Sequence, residues 1–138
     1  MAAVKVLDSF AVLSFLEDEP GAAFVRELLE EAEAGRTRLA MCVVNLGEIW
    51  YAIARAVSPE LADTLIAEIR SRSIEIVDAD WPLTLQAAIY KSRGGISYAD
   101  CFAAALAKIR QAELVTGDPE FRRLADEITV VWRTDLEI

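Results

Sequence analysis

Residues 97–121 have the sequence SYADCFAAALAKIRQAELVTGDPEF, and this stretch decides the fold class. Residues 97–110 are rich in alanine and predict a helix, whereas residues 113–116 form a short apolar run that predicts a buried strand. Asp118 followed by Pro119 predicts a second, short helix over residues 118–125, because aspartate often caps a helix and proline is tolerated in the first turn. A helix, a strand and an acidic turn therefore follow one another directly.

The same alternation of apolar runs and amphipathic segments extends over the rest of the chain. Strands are predicted at residues 4–7, 39–44, 74–77, 113–116 and 129–132. Helices are predicted at residues 9–16, 22–34, 45–57, 59–70, 81–91, 97–110 and 118–125. Strands separated by helices are typical of a parallel sheet that is covered on both faces. We therefore expect one α/β domain over residues 1–138, a three-layer α/β/α sandwich with a central, mostly parallel sheet of about five strands.

The charge balance limits the kinds of partner. The chain has 23 acidic and 14 basic residues, which gives a net charge of −9. Proteins that bind nucleic acid without regard to sequence usually carry a basic surface. The acidity therefore argues against simple nucleic-acid binding, and an approach to any nucleic acid would need bound cations.

Several classes of site are excluded by residues that the chain lacks. Histidine is absent, which excludes a histidine base and a histidine zinc ligand. Cys42 and Cys101 lie in apolar stretches and are expected to be reduced core thiols. No apolar run is long enough to span a membrane, and Asp8 interrupts the run that follows Lys5, so we expect neither a membrane span nor a signal peptide. The chain is expected to be cytoplasmic.

Four carboxylates are predicted to meet at one edge of the sheet. Asp8 and Asp118 follow predicted strands directly, and Glu48 and Asp100 lie in the first turns of predicted helices. In an open parallel sheet, ligands bind outside the carboxyl ends of the strands, where the following helices also begin. We therefore expect the four side chains to lie together.

Each acid also has a purely structural explanation. Asn45-x-x-Glu48 and Ser97-x-x-Asp100 have the form of capping boxes, in which a first-turn acid reaches back to the cap. Aspartates that precede a helix, such as Asp8 and Asp118, are common N-caps. Helix capping accounts for each residue alone, but four acids at the same edge of one sheet favour a site.

The chemistry of such a site follows from its ligands. Carboxylates that lie close together repel, which raises their pKa values unless a cation joins them. Oxygen ligands without histidine or thiolate favour Mg²⁺ or Mn²⁺. Two such ions, about 3.5–4 Å apart, can activate a water and stabilise the leaving oxygen of a phosphodiester.

Four motifs carry a resemblance to a known family: VLDS at residues 6–9, NLGE at 45–48, SYADCFAAA at 97–105 and LVTGDPEF at 114–121. With them the chain resembles the PIN-domain nucleases, and within these the toxins of VapC-type toxin–antitoxin pairs. The resemblance implies a metal-dependent endoribonuclease (a hydrolase of phosphodiester bonds) that forms a homodimer and is inhibited by a cognate antitoxin.

The resemblance also implies roles for individual residues. It assigns the binding of Mg²⁺, or of Mn²⁺, and catalysis to Asp8, Glu48, Asp100 and Asp118. It assigns the support of these ligands to Ser9, Asn45 and Thr116. Glu120 is a nearby further acid, although its place in a first helical turn offers a structural explanation.

Lys91 and Arg93 precede the Gly94-Gly95 loop that leads into the Asp100 helix, so they are candidates for contacts with RNA phosphates. The alternative explanation is that they are solvated loop charges.

Of three other functions, the sequence disfavours one and leaves two open. A phosphoacceptor signalling domain needs paired acids after strand one and a lysine after a late strand, and Asp8-Ser9 and Thr116-Gly117 provide neither. A catalytically idle binding module with this fold, and a PIN nuclease of RNA processing without a toxin role, both stay open.

Overall fold

The computed structural model describes residues 3–132, and within them the central layer is a sheet of five parallel strands. The strands are β1 (Val4–Leu7), β2 (Arg38–Cys42), β3 (Ile74–Val77), β4 (Glu113–Thr116) and β5 (Val130–Trp132). Their order is β3-β2-β1-β4-β5, and every neighbouring pair is parallel. The predicted α/β sandwich is confirmed, with a sheet that is parallel throughout these residues.

Helices cover both faces of the sheet. They are α1 (Ser9–Leu16), α2 (Ala22–Glu33), α3 (Val43–Ala56), α4 (Pro59–Arg70), α5 (Trp81–Ser92) and α6 (Tyr98–Arg110), followed by a short 3₁₀ helix at Pro119–Leu124. Because successive strand residues point to opposite faces, Val6 packs with α5 and α6, whereas Leu7 packs with α1 and α2. None of the helices of residues 3–132 has the length and apolar character that a membrane span requires.

Helix α6 is the most deeply buried helix of the sandwich. Every residue from Asp100 to Ala107 is buried, including the consecutive alanines at 103, 104 and 105. Alanine is the best helix former, and its small side chain lets a helix approach a sheet closely. This packing carries Asp100, in the first turn of α6, into the interior of the protein.

The strand order creates a switch point between β1 and β4. From the central strand β1 the chain moves outward to β2 and β3, and it then returns to place β4 on the other side of β1. Connections on the two sides of such a point leave in opposite directions, which opens a crevice at the carboxyl ends of the strands. Asp8 follows β1 and Asp118 follows β4, so the two acids flank this crevice.

The boundary between β2 and α3 differs from the prediction. The strand ends at Cys42, which is the N-cap residue, and the helix begins at Val43 rather than at Asn45. Valines favour strands by local propensity, but here Val44 packs into the core as part of a helix, and tertiary packing outweighs that preference. Asn45 is therefore a fully buried residue inside the helix, and the predicted capping role for it is wrong.

Smaller differences occur near the end of the described region. The helix predicted at residues 118–125 is a 3₁₀ helix at Pro119–Leu124, and β5 begins at Val130, one residue later than predicted. The predicted caps Asp8, Ser97 and Asp118 all accept a backbone N–H at the start of their helices.

Candidate acidic active site

Asp8 lies at the end of β1 and caps α1. Its Oδ1 accepts the backbone N–H of Ala11 at 2.8 Å, its Oδ2 accepts the hydroxyl of Thr116, and the residue is only 1% exposed. Burial raises the pKa of Asp8 to about 7, the hydrogen bonds from Thr116 and Ala11 counter this, and the negative charges of Asp118 and Glu48 raise it further. The ionised form of this carboxyl group is therefore disfavoured by its surroundings, and a bound cation would favour it.

Thr116 joins the two sides of the crevice. Its Oγ1 donates to Asp8 and accepts the backbone N–H of Asp118 at 3.0 Å. A hydroxyl has one proton to donate and lone pairs to accept, so both bonds can form at once. The side chain therefore fixes the ends of β1 and β4 relative to each other.

Asp100 projects from the first turn of α6. Ser97 caps this helix by accepting the backbone N–H of Asp100 at 3.2 Å, and Asp100 is 8% exposed. Burial raises the pKa of Asp100 to about 8, the charges of Asp118, Asp8 and Glu48 add to the increase, and the hydrogen bond with Ser97 opposes it. The other three predicted acids are thus all within electrostatic reach of Asp100.

Glu48 is held by side chains rather than by its own helix end. Its Oε1 accepts from Ser9 Oγ at 2.7 Å and from Asn45 Nδ2 at 3.1 Å. Asn45 Nδ2 also donates to the carbonyl of Ala99 at 3.1 Å, which links α3 to the start of α6. Because both neighbours are acceptors, only the amide nitrogen fits there. The capping-box explanation for Glu48 is therefore wrong, since α3 begins two residues before Asn45.

The closest group of acids includes one residue that the sequence analysis left aside. One carboxylate oxygen each from Asp100, Asp118 and Glu120 lies within 4.8 Å of the others. Asp118 Oδ1 accepts the backbone N–H of Glu120 at 2.9 Å, and this turn brings the Glu120 carboxylate to the site. An acid two residues after an N-cap aspartate was the sequence signal for this position.

The donor set of the site fits a hard divalent cation. Asp8, Glu48, Asp100, Asp118 and Glu120 supply carboxylate oxygens, and no ion pair within residues 3–132 involves any of them. Their neutral partners are hydroxyls and amides, which do not cancel the negative charge. Magnesium and manganese prefer such oxygen ligands, and a bound cation would relieve the repulsion among them.

Lys91 and Arg93 have partners within the protein. Lys91 Nζ donates to the carbonyl of Ile96 at 3.0 Å, and the Arg93 guanidinium pairs with Glu127 and lies 5.5 Å from the centre of the Tyr90 ring. These contacts hold the loop that precedes α6. The contact of Lys91 and Arg93 with RNA phosphates stays a prediction.

Several solved structures with the same fold come from toxin–antitoxin systems. The chain is similar to the DNA-bound VapBC of Salmonella typhimurium, with a TM-score of 0.72 and 20% identity over 96% of this chain and 99% of that chain. It is also similar to VapC20 of Mycobacterium tuberculosis, described as a sarcin-ricin loop cleaving toxin, with a TM-score of 0.67 and 18% identity over 88% of this chain and 95% of that chain.

A third similar structure is VapBC-5 of Mycobacterium tuberculosis, a member of the VapBC family of toxin–antitoxin systems. Its TM-score is 0.60, with 20% identity over 94% of this chain and 97% of that chain. At sequence identities of 18–20%, the structural similarity establishes only a shared fold. No curated protein matches the chain in sequence.

The family itself follows from the sequence match. The model of the PIN domain family matches residues 5–127, a range that begins in β1, ends after the 3₁₀ helix and includes every acid of the site. Together with the parallel sheet and the acids at its carboxyl edge, this match shows that the chain belongs to the PIN domain family.

Proposed function

We propose that the protein is a divalent-metal-dependent endoribonuclease and the toxin of a toxin–antitoxin pair. The observation that carries the proposal is the convergence of five carboxylates, without an ion pair among residues 3–132, at the crevice between β1 and β4. A structural role would favour pairing these charges with lysine or arginine. Their mutual repulsion favours a site that binds cations.

The residues of the site have distinct roles in this proposal. Asp100, Asp118 and Glu120 would hold one Mg²⁺ or Mn²⁺, since their oxygens already lie within 4.8 Å of one another. Asp8 and Glu48 extend the ligand set on the side of α1 and α3. When bound, the metal supplies an activated water and stabilises negative charge on the phosphate.

The neighbouring polar groups keep the ligands in place. Thr116 orients Asp8, and Ser9 and Asn45 orient Glu48, so these carboxylates need little rearrangement when a cation arrives. The absence of histidine from the chain excludes a histidine base, and the groups brought together at the site that could take part in proton transfer are the carboxylates and water.

The toxin role rests on the structural similarities. VapC20 is described as a toxin that cleaves the sarcin-ricin loop, and VapBC-5 belongs to a family of toxin–antitoxin systems. By analogy with them we propose RNA as the substrate, a cognate antitoxin as the partner, a homodimeric assembly and a cytoplasmic location.

The nuclease activity is tested with the purified chain, freed of any partner, and a single-stranded RNA. We expect cleavage with Mg²⁺ or Mn²⁺, no cleavage in excess chelator, and a loss of at least about 100-fold in Asp100→Asn, because metal-stabilised charge contributes several kcal/mol to the transition state. Asp126→Asn is the matched control, since Asp126 is exposed and lies outside the acidic group. Equal cleavage in chelator would refute the metal mechanism.

The toxin role is tested separately in cells. Induced expression of the wild-type chain should arrest growth, and both Asp100→Asn and co-expression of the protein encoded next to it should restore growth. Cleavage of RNA in vitro without growth arrest would instead support a nuclease of RNA processing. A folded protein that binds RNA but never cuts it would support an idle module.

A further inference from the structure

An aromatic ring lies exposed beside the acids without a part in the arrangement described so far. Phe10 is the second residue of α1, two positions after Asp8, and it is 41% exposed. A single exposed apolar side chain is common on protein surfaces and carries little meaning alone. The position of this ring relative to Gly117 is what distinguishes it.

The ring of Phe10 is seated on the backbone of Gly117. A Cβ at Gly117 would overlap Cε1 of Phe10 and would lie 3.0 Å from Cζ and 3.1 Å from Cδ1. Gly117 has no positive φ, so its backbone conformation does not require glycine. The space that the missing side chain leaves is used by the phenyl ring, which is therefore held in place while a large part of it stays exposed.

This location sets the ring among the functional groups. Gly117 stands between Thr116, which bonds Asp8, and Asp118, which belongs to the acidic trio. Phe10 itself follows Ser9, which bonds Glu48. The ring thus contacts the loop after β4 from the start of α1, across the crevice where the acids converge.

We propose that Phe10 is a stacking platform for one base of single-stranded RNA, next to the phosphodiester that is cut. The inference rests on the proposed nuclease function and names a subsite within it. Every nucleobase has a flat face that can stack on an aromatic ring, and exposed aromatics serve this purpose in proteins that bind single strands. Stacking also provides affinity that does not depend on positive charge, which matters in a chain with a net charge of −9.

The test is a double-mutant cycle that combines a protein variant with an RNA variant. Wild type and Phe10→Leu are compared on an intact single-stranded RNA and on RNAs with one abasic residue placed in turn at each position around the cut. In wild type, one abasic position should lower kcat/KM by roughly 5- to 100-fold. Phe10→Leu should show that loss on the intact RNA and no further loss on the abasic RNA.

A spectroscopic measurement separates stacking from a structural role. With 2-aminopurine at the sensitive position, binding to wild type, Phe10→Tyr or Phe10→Trp should quench the fluorescence, and binding to Phe10→Leu should not. Gly117→Ala should reproduce the effect of Phe10→Leu, because the added methyl group displaces the ring. The double variant Phe10→Leu/Gly117→Ala should show the same kcat/KM and the same fluorescence as Phe10→Leu alone.

Ile109→Ala is the control for the loss of exposed apolar surface. Ile109 is 48% exposed in the last turn of α6, nine residues after Asp100, or about 13 Å along the helix axis. It should leave kcat/KM and the abasic penalty unchanged, and melting curves should show that each variant is folded. An abasic penalty of equal size in wild type and Phe10→Leu overturns the stacking proposal alone. Absence of RNA cleavage in wild type with Mg²⁺ overturns the nuclease function as well.

Discussion

Two groups of carboxylates in this protein differ in the kind of partner that contacts them. Away from the crevice, Glu113 pairs with Lys5, and both oxygens of Glu75 accept from Arg110, at 3.1 and 2.9 Å. At the crevice, Asp8 and Glu48 accept hydrogen bonds from hydroxyl, amide and backbone N–H groups only, as far as residues 3–132 show. Glu75 and Glu113 lie in strands of the sheet, whereas Asp8 follows β1 and Glu48 lies in α3.

The pKa values of the two groups shift in opposite directions. The hydrogen bond from Arg110 lowers the pKa of Glu75, whereas burial raises the pKa of Asp8 to about 7 and that of Asp100 to about 8. The ion-paired group is neutralised when the chain folds. Under the proposed function, a cation from solution neutralises the acids of the crevice, and their mutual repulsion destabilises the metal-free folded protein.

The largest effect should appear in the stability of the metal-free protein as a function of pH. An unfolded aspartate titrates near pH 4, whereas folded Asp8 and Asp100 hold their protons to about pH 7 and 8. Between these limits the folded state binds more protons than the unfolded state, so the free energy of unfolding falls as pH rises. In chelator, Tm should therefore fall from pH 5 to pH 8, and Mg²⁺ should restore it mainly at pH 8.

Asp100→Asn isolates this contribution from other titrating groups. In chelator at pH 8 the variant should melt at least about 2 °C above wild type, since one repelling charge is gone, and its Tm should depend less on pH. Asp126→Asn should follow wild type. If the Tm of wild type in chelator does not change between pH 5 and pH 8, the view that the acids of the site lack a neutralising partner in the metal-free protein is wrong.

A smaller effect is expected for Thr116→Val, which keeps the shape and removes the hydroxyl. Asp8 loses a donor and the backbone N–H of Asp118 loses its acceptor, so the free energy of unfolding should fall by about 1–3 kcal/mol. The affinity for Mg²⁺ should fall by about 10- to 100-fold, because groups that orient ligands affect metal binding by that amount. Urea unfolding and calorimetric titration measure the two quantities.

Thr64→Val is the matched control for the loss of a hydroxyl. Thr64 Oγ1 donates to the carbonyl of Glu60 on the exposed surface of α4, so its removal should change stability by less than about 0.5 kcal/mol. Magnesium affinity should not change. Equal losses in the two variants would mean that Thr116 has no special function at the crevice.

The smallest effect is expected for Arg110→Gln, which breaks the ion pair with Glu75. The pair is partly exposed, so the loss in stability should be about 0.2–1 kcal/mol and should shrink as salt is added. RNA cleavage should stay at the wild-type level. A change in magnesium affinity would show that the two groups of carboxylates are coupled, and the distinction drawn between them would fail.

Much of the fold was predictable because its signals are local. Short apolar runs such as Val4–Leu7 and Glu113–Thr116 became strands at the predicted residues, and the parallel arrangement follows from the helices between them. Aspartates that follow strands predicted the position of the crevice, because the residues that follow parallel strands all lie at the carboxyl edge of the sheet.

The remaining features depend on contacts that are distant in sequence. Val43 and Val44 have the local character of a strand, yet both belong to α3, where Val44 packs against the core. Glu120 has the ordinary pattern of a first-turn residue, and its place in the acidic trio depends on α6 bringing Asp100 to it. The seating of Phe10 on Gly117 joins two segments that no local pattern connects.

The hydrogen bond between Thr116 and Asp8 joins residues 108 positions apart, and this has a consequence for the synthesis of the chain. At a translation rate of about 5–20 residues per second, roughly 5–20 s separate the addition of Asp8 from that of Thr116. Strand β4 must leave the ribosome before it can pair with β1, so the site cannot form during synthesis until β4 has emerged. A nascent chain that has not yet exposed β4 therefore holds Asp8 and Glu48 without the partners that complete the site.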